Sequence, residues 1–163
     1  MKTAFKLNEQ IVYPLQGVGQ IIKIEEIKFK GEDLLYYVIY LPVTDMTIMV
    51  PVNKAKELGI RAIVSEKESK EALQIISEEQ EVITADWKIR YQMNLNLLKS
   101  GSIKDIAVVV RTLYHRSKIK ELPILERKLF DDALKILIDE VSFSLRKTKK
   151  DIEQLVFSKL EAD

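Results

Sequence analysis

The sequence predicts a two-domain α+β protein, a small coiled β-sheet or barrel followed by a compact bundle of about five helices. Three observations carry this. Residues 1 to about 60 hold short β-branched and aromatic runs broken by proline and glycine. From about residue 66 the apolar residues recur at helical spacing instead. The chain has 163 residues, of which 47% are apolar, enough for one domain or two small ones with real cores.

The strands follow in order. Glu9 to Tyr13 forms a first short strand that ends at Pro14. Gly17 and Gly19 punctuate the next segment, which runs from Gln20 to Phe29. Its apolar residues change phase, from Ile22 and Ile24 to Ile27 and Phe29. A flat strand cannot hold all four on one face, so a bulge or bend is expected near Glu25-Glu26. Lys30-Gly31-Glu32-Asp33 reads as a turn. Leu34 to Leu41 is aromatic and β-branched and ends at Pro42. Val43-Thr44-Asp45 turns the chain into Met46 to Val50, which stops at Pro51.

Glu66 to Ser77 is a short helix carrying Leu73 and Ile76, followed by an acidic connector, Glu78-Glu79-Gln80-Glu81. Thr84 or Asp86 caps a helix that runs to about Lys99 and ends at Ser100-Gly101, with Tyr91, Leu95 and Leu98 on one stripe. Ser102 caps the next, where Ile103, Ile106, Ala107, Val110, Leu113 and Tyr114 line one face. A long helix runs from about Pro123 to Arg146, marked by Leu125, Leu129, Ala133, Ile136, Leu137 and Leu145. Proline suits the first turn of a helix, so its start is expected to shift rather than fail. Thr148 caps the last, with Ile152, Leu155, Val156 and Leu160 inward. The expected division is a β domain over 1–60, a linker over 61–65 and a helical domain over 66–163.

Several function classes find no support. The chain has no cysteine and a single histidine, His115, beside Arg116 at a helix end, so neither a thiolate metal site nor a nucleophile–base pair can be built. Gly17-Val18-Gly19 is not a phosphate loop, because no helix follows it. Asp131-Asp132 and Asp139-Glu140 are expected on solvated helix faces. No catalytic activity, cofactor, metal or small-molecule substrate is expected. No apolar run is long enough to span a membrane, the start lacks a signal-peptide pattern, and the cytoplasm is the expected compartment.

The net charge is only +1, yet it is unevenly spread. Between Thr84 and Lys120 stand eight cations (Lys88, Arg90, Lys99, Lys104, Arg111, Arg116, Lys118, Lys120) against two acids, Asp86 and Asp105. Trp87, the one tryptophan, opens that stretch. Phosphate attracts such charge without regard to sequence, and a base or base step accepts the indole ring. Helical spacing leaves Trp87 either packed on the Tyr91 stripe or turned outward. Pro42 and Pro51 bracket Met46-Thr47-Ile48-Met49-Val50, the pattern of an edge strand, which either is capped by its own loops or takes a partner by strand addition.

Two stretches resemble a known family. The first is Val12-Tyr13-Pro14 with Gly17-Val18-Gly19 and Val50-Pro51. The second starts at Asp86-Trp87 and continues through Arg90-Tyr91, Asn94, Leu98, Ser100-Gly101, Ile106 to Arg111, Leu113 and Arg116. Leu122, Glu126, Ala133, Ile136-Leu137 and Glu140 complete it. Together they resemble the CarD/CdnL family of bacterial transcription regulators. The first stretch is also similar to a module of the transcription-repair coupling factor.

The resemblance implies a Tudor/SH3-like N-terminal domain that docks by its edge strand on the β subunit of RNA polymerase. It implies a helical domain that contacts promoter DNA in the minor groove at the upstream edge of the melted −10 region. There the tryptophan acts as a wedge that stabilises the open complex. The implied polymerase contacts are Ile27, Met46, Thr47, Ile48, Met49 and Pro51. The DNA set is Trp87, Lys88, Arg90, Lys104, Arg111 and Arg116. The protein is expected to act as a monomer. Relatives often place arginine where this chain has Met49, and carry more basic residues where it has Ile89 and Gln92. The rival reading is a polymerase-binding adaptor without direct DNA contact, its basic segment a solvated face.

Overall fold

Turn chemistry and alternation build the first half. In the computed structural model, which describes residues 3–78 and 86–161, strands β1 (Gln10–Tyr13), β2 (Gly17–Phe29), β3 (Glu32–Leu41), β4 (Met46–Pro51) and β5 (Arg61–Ala62) form one antiparallel sheet ordered β4-β3-β2-β1-β5. A 3-10 turn, Val52–Lys54, follows β4. Lys30 and Gly31 both take positive φ, 53° and 82°, giving a two-residue hairpin turn whose twist matches the strands. Glu32 and Asp33 therefore belong to β3, opposite Phe29 and Lys28, rather than to the turn.

The irregularity in β2 lies earlier than expected. The register against β3 slips between Ile21 and Lys23, not at Glu25-Glu26. Ile22 is the extra residue and stands exposed, while Ile21 is fully buried and Ile24 packs against the core. The bulge brings Ile21 and Ile24 onto one face, and beyond it the register runs unbroken, so Ile27, opposite Leu34, lies on the other face of the sheet from Ile24. Gly19 lies where β2 crowds the end of β3: a Cβ there would meet Leu41 Cδ2 at 2.8 Å and the Tyr40 carbonyl at 3.0 Å.

The sheet's inner face holds Ile11, Ile21, Tyr37, Ile39, Leu41 and Val50, with Phe5, Ala55 and Ile60 closing over it. The Tyr37 hydroxyl accepts the Phe5 N–H at 3.2 Å, so the one phenol sealed in this core keeps a polar partner.

The second half is helical: α1 (Glu66–Ser77), α2 (Trp87–Ser100), α3 (Ile103–Ile119), α4 (Ile124–Leu145) and α5 (Lys149–Leu160). Ser65, Ser102 and Thr148 cap α1, α3 and α5, each accepting the backbone N–H three residues on. Asp86 and Pro123 precede α2 and α4 without a side-chain cap bond. The proline shifts the long helix to start at Ile124, and Arg146 ends it at φ 56°. Thr84 and the connector residues 79–81 lie outside the described residues.

The expected inward stripes of α1, α3 and α5 form the bundle core, together with Leu98 of α2 and Leu129 to Val141 of α4. Leu125, expected on the inward stripe of α4, is instead half-exposed.

The chain divides into Met1–Ile63 and Val64–Asp163. Arg61 and Ala62, expected in the linker, pair with Val12 and Ile11 as β5. Within the helical unit, the buried Glu140 carboxylate accepts the Val64 N–H at 3.0 Å. Asp139 and Glu140 are therefore not on a solvated face: Asp139 is also buried and meets Lys149 at 3.2 Å. Asp131 and Asp132 are exposed as expected.

Candidate functional site

Trp87 begins α2, and 37% of its surface remains exposed. Tyr91, Leu95 and Leu98 face the core from the same helix, but Trp87 does not join that cluster. Lys88 and Ile89 beside it are exposed. A large half-covered ring with a cation next to it is thus available at a helix end.

One turn on, Arg90 behaves differently. Its guanidinium lies inside the bundle against Glu126, with Nη2–Oε1 at 2.7 Å and Nε–Oε2 at 3.2 Å. The two side chains are 5% and 0% exposed. This is a two-pronged buried pair, the geometry that planar guanidinium and carboxylate groups favour. Arg90 was expected to face phosphate. Its position on the same stripe as buried Asn94 and Leu98 turns it inward, where an unpaired Glu126 would be costly.

The pair also locates Trp87 in the bundle. Arg90 is in the first turn of α2 and Glu126 in the first turn of α4, so both helix starts lie together. Only residues 120–123 separate the end of α3 from the start of α4. Trp87, Lys88, the α3 C-terminus with Arg116, Lys118 and Lys120, and the α4 N-terminus therefore share one end of the helical domain. Lys118 stands over the Tyr114 ring at 5.0 Å, which holds its stem against the bundle.

The other expected DNA cations are placed elsewhere. Lys104 lies twelve residues before Arg116 on α3, roughly 18 Å along the axis, and meets Glu71 at 2.8 Å. Hydrogen bonding and then charge from Glu71 hold the Lys104 ammonium above its usual pKa, and Lys104 holds the Glu71 carboxyl below the carboxylate range. Arg111 donates to the Ile75 carbonyl and to Glu78, each at 3.3 Å, which ties α3 to the end of α1. Arg90, Lys104 and Arg111 thus join helices, while Trp87, Lys88 and Arg116 share one end of the helical domain.

The polymerase set divides likewise. β4 is an outer strand, paired on one side only, to β3. Met46, Thr47 and Met49 are exposed, and Ile48 and Pro51 are half-buried. Ile27 lies on β2, separated from β4 by β3. The register places it on the same sheet face as Met49, because it faces Leu34, and Leu34 shares the face of Val38, the partner of Met49. The Tyr40 hydroxyl donates to Asp45 at 2.7 Å beside the β3–β4 turn, and that hydrogen bond raises the phenol's pKa. Among the described residues no cluster of potential metal ligands occurs. No helix there is long and apolar enough to cross a membrane.

Sequence reasoning missed the Arg90–Glu126 pair and the role of Glu140. The signal was present, since Glu126 and Glu140 share the inward phase of Leu129, Ala133 and Leu137 along α4. An acid on an apolar stripe demands a buried partner.

The two units match two family descriptions in order. Residues 5–64 match the CarD-like/TRCF RID domain, and residues 71–157 match the CarD C-terminal domain. The chain is also 35% identical over 149 residues to a Bacillus subtilis (strain 168) protein named "Putative transcription factor YdeB", covering 91% of this chain and 97% of that one. With both domain matches in sequence and that relative spanned almost end to end, the chain belongs to the CarD/CdnL family of bacterial transcription regulators.

Proposed function

We propose that this protein docks on the β subunit of RNA polymerase through the β4 edge and holds its helical domain against promoter DNA. Trp87 then wedges into the minor groove at the upstream edge of the melted −10 region and slows reannealing. It acts in the cytoplasm as a monomer without catalysis. The carrying observation is the exposed indole at a bundle end shared with Lys88, Arg116, Lys118 and Lys120. Large apolar side chains unstack base steps in this way, and neighbouring cations anchor the flanking phosphates. The docking half rests on the outer position of β4, whose unpaired backbone groups accept an added strand.

A base stacked on an aromatic ring contributes roughly 1–3 kcal/mol. That corresponds to a shift of about ten- to hundredfold between closed and open promoter. The test compares open-promoter lifetimes with the wild-type protein and with Trp87→Ala, alongside polymerase binding. The substitution is expected to shorten the lifetime without weakening polymerase binding. Equal lifetimes with binding intact would remove the wedge. Binding of the protein to free promoter DNA across a salt series separates the adaptor reading, for which no steep salt dependence is expected.

A further inference from the structure

The short connection between α3 and α4 buries its own Leu122, but the helix ends that flank it carry uncovered apolar side chains. Ile119 is 71% exposed, Ile124 is 87% exposed, and Leu125 is also in water. All three fall within seven residues, at the close of one helix and the opening of the next. Scattered apolar residues on a surface need no explanation, but a contiguous set at one corner does. The charge around them is one-sided. Lys118, Lys120 and Lys128 are exposed, Arg116 is half-buried, and Glu121 is the one exposed acid among residues 116–128.

The corner is tied to Trp87. Trp87 precedes Arg90 by three residues and Ile124 precedes Glu126 by two, so each lies roughly one turn or less from the buried ion pair. The backbones at Trp87 and Ile124 are then within roughly 20 Å, or about six base pairs of duplex.

We infer that the α3–α4 corner is a second contact on the same DNA, with Ile119 and Ile124 packed on the groove wall and Lys118, Lys120 and Lys128 on flanking phosphates. This rests on the proposed engagement of DNA by Trp87. Lysine-rich rims suit a polyanion and are depleted in protein–protein interfaces, which favours nucleic acid over a protein partner. Isoleucine is among the side chains that press into a minor groove. A two-point footing also opposes rotation about the wedge, which a single ring does not.

The test uses the full chain with polymerase holoenzyme and a promoter fragment. Ile119→Ser with Ile124→Ser changes two water-facing side chains, and a thermal melt checks that the fold is kept. The double variant is expected to shorten the open-complex lifetime about three- to tenfold, with binding to holoenzyme without DNA unchanged. Lys118→Gln with Lys120→Gln is expected to flatten the salt dependence of DNA binding by about two phosphate contacts. An unchanged lifetime with a flat lysine response overturns the corner contact, even if Trp87→Ala shortens the lifetime and the wedge stands. Weaker binding of the isoleucine variant to DNA-free holoenzyme also overturns it, by making the occupant a protein. If the isoleucine variant shortens the lifetime and Trp87→Ala does not, the corner survives and the wedge fails.

Discussion

Removing the Arg90 charge tests the buried pair directly. In Arg90→Met the side-chain volume is largely kept, but Glu126, fully buried, loses the cation at 2.7 Å. Stripping one partner from a buried pair costs about 3–5 kcal/mol, because the remaining charge has no water and no counter-charge. For a unit of about 100 residues each kcal/mol moves the midpoint by about 4–8 °C. A fall of at least about 12 °C is therefore expected in the helical transition of the full chain, read by far-ultraviolet circular dichroism. Arg90→Met with Glu126→Leu removes both charges, and recovery to near the wild-type midpoint is expected. That double variant also separates structure from contact. Its DNA affinity is expected to keep the wild-type salt slope, since a buried guanidinium displaces no counterion. If Arg90→Met melts like the wild type and instead reduces the salt slope by about one, Arg90 faces phosphate and the burial argument is refuted.

Two further outcomes follow from the geometry. Met49→Asp on the outer strand is expected to weaken polymerase binding with little change in melting temperature, because the side chain is exposed and no core contact is lost; pull-down of purified polymerase by the full chain reads it. The Glu71–Lys104 pair predicts a small pH effect. Glu71 is held below its usual value, so its contribution is present at neutral pH and lost as pH falls through the lowered value. Lys104 is held above its usual value, so its contribution is lost as pH rises through the raised one. The melting difference between wild type and Glu71→Gln should be flat near neutrality and vanish at acid pH. A difference that grows with acid would contradict the pairing.

Local chemistry made most elements legible. Ser102 and Thr148 each stand where a side-chain oxygen meets an otherwise orphaned N–H, a bond settled within four residues. The inward stripe of α3 follows from spacing alone. What escaped depends on which face wins in three dimensions. Arg90 looked cationic and available beside Trp87, yet its phase with Asn94 and Leu98 put it inside. Glu140 looked solvated beside Asp139, yet it holds the Val64 N–H from 76 residues away in sequence. Ile22 looked inward with Ile24, yet the strand slips at Ile22, three residues before the bend expected at Glu25-Glu26 from the apolar phase. For Arg90 and Glu140 the residue type argued one way and the phase the other, and burial followed phase; for Ile22 the bulge itself broke the phase.

The internal pairing of the basic segment changes the expected strength of DNA contact. Of its eight cations, Arg90, Lys104 and Arg111 meet Glu126, Glu71 and Glu78. Lys99 closes α2 at the end away from Trp87, roughly 18 Å along the axis. Four cations of that segment, Lys88, Arg116, Lys118 and Lys120, then share the end with the indole. On the proposed reading such a patch is expected to bind free duplex weakly and to lose affinity quickly as salt rises. On the proposed reading weakness is tolerable, because docking on polymerase turns DNA contact into an intramolecular step at a high effective concentration. It also confines action to DNA that the polymerase already holds. A chain of net charge +1 would gain little by gripping DNA on its own, and the inward turn of Arg90 trades one phosphate contact for a fixed base under Trp87. On the proposed reading a fixed base under Trp87 preserves stacking energy, since a ring that must be ordered on binding gives up part of it to conformational entropy.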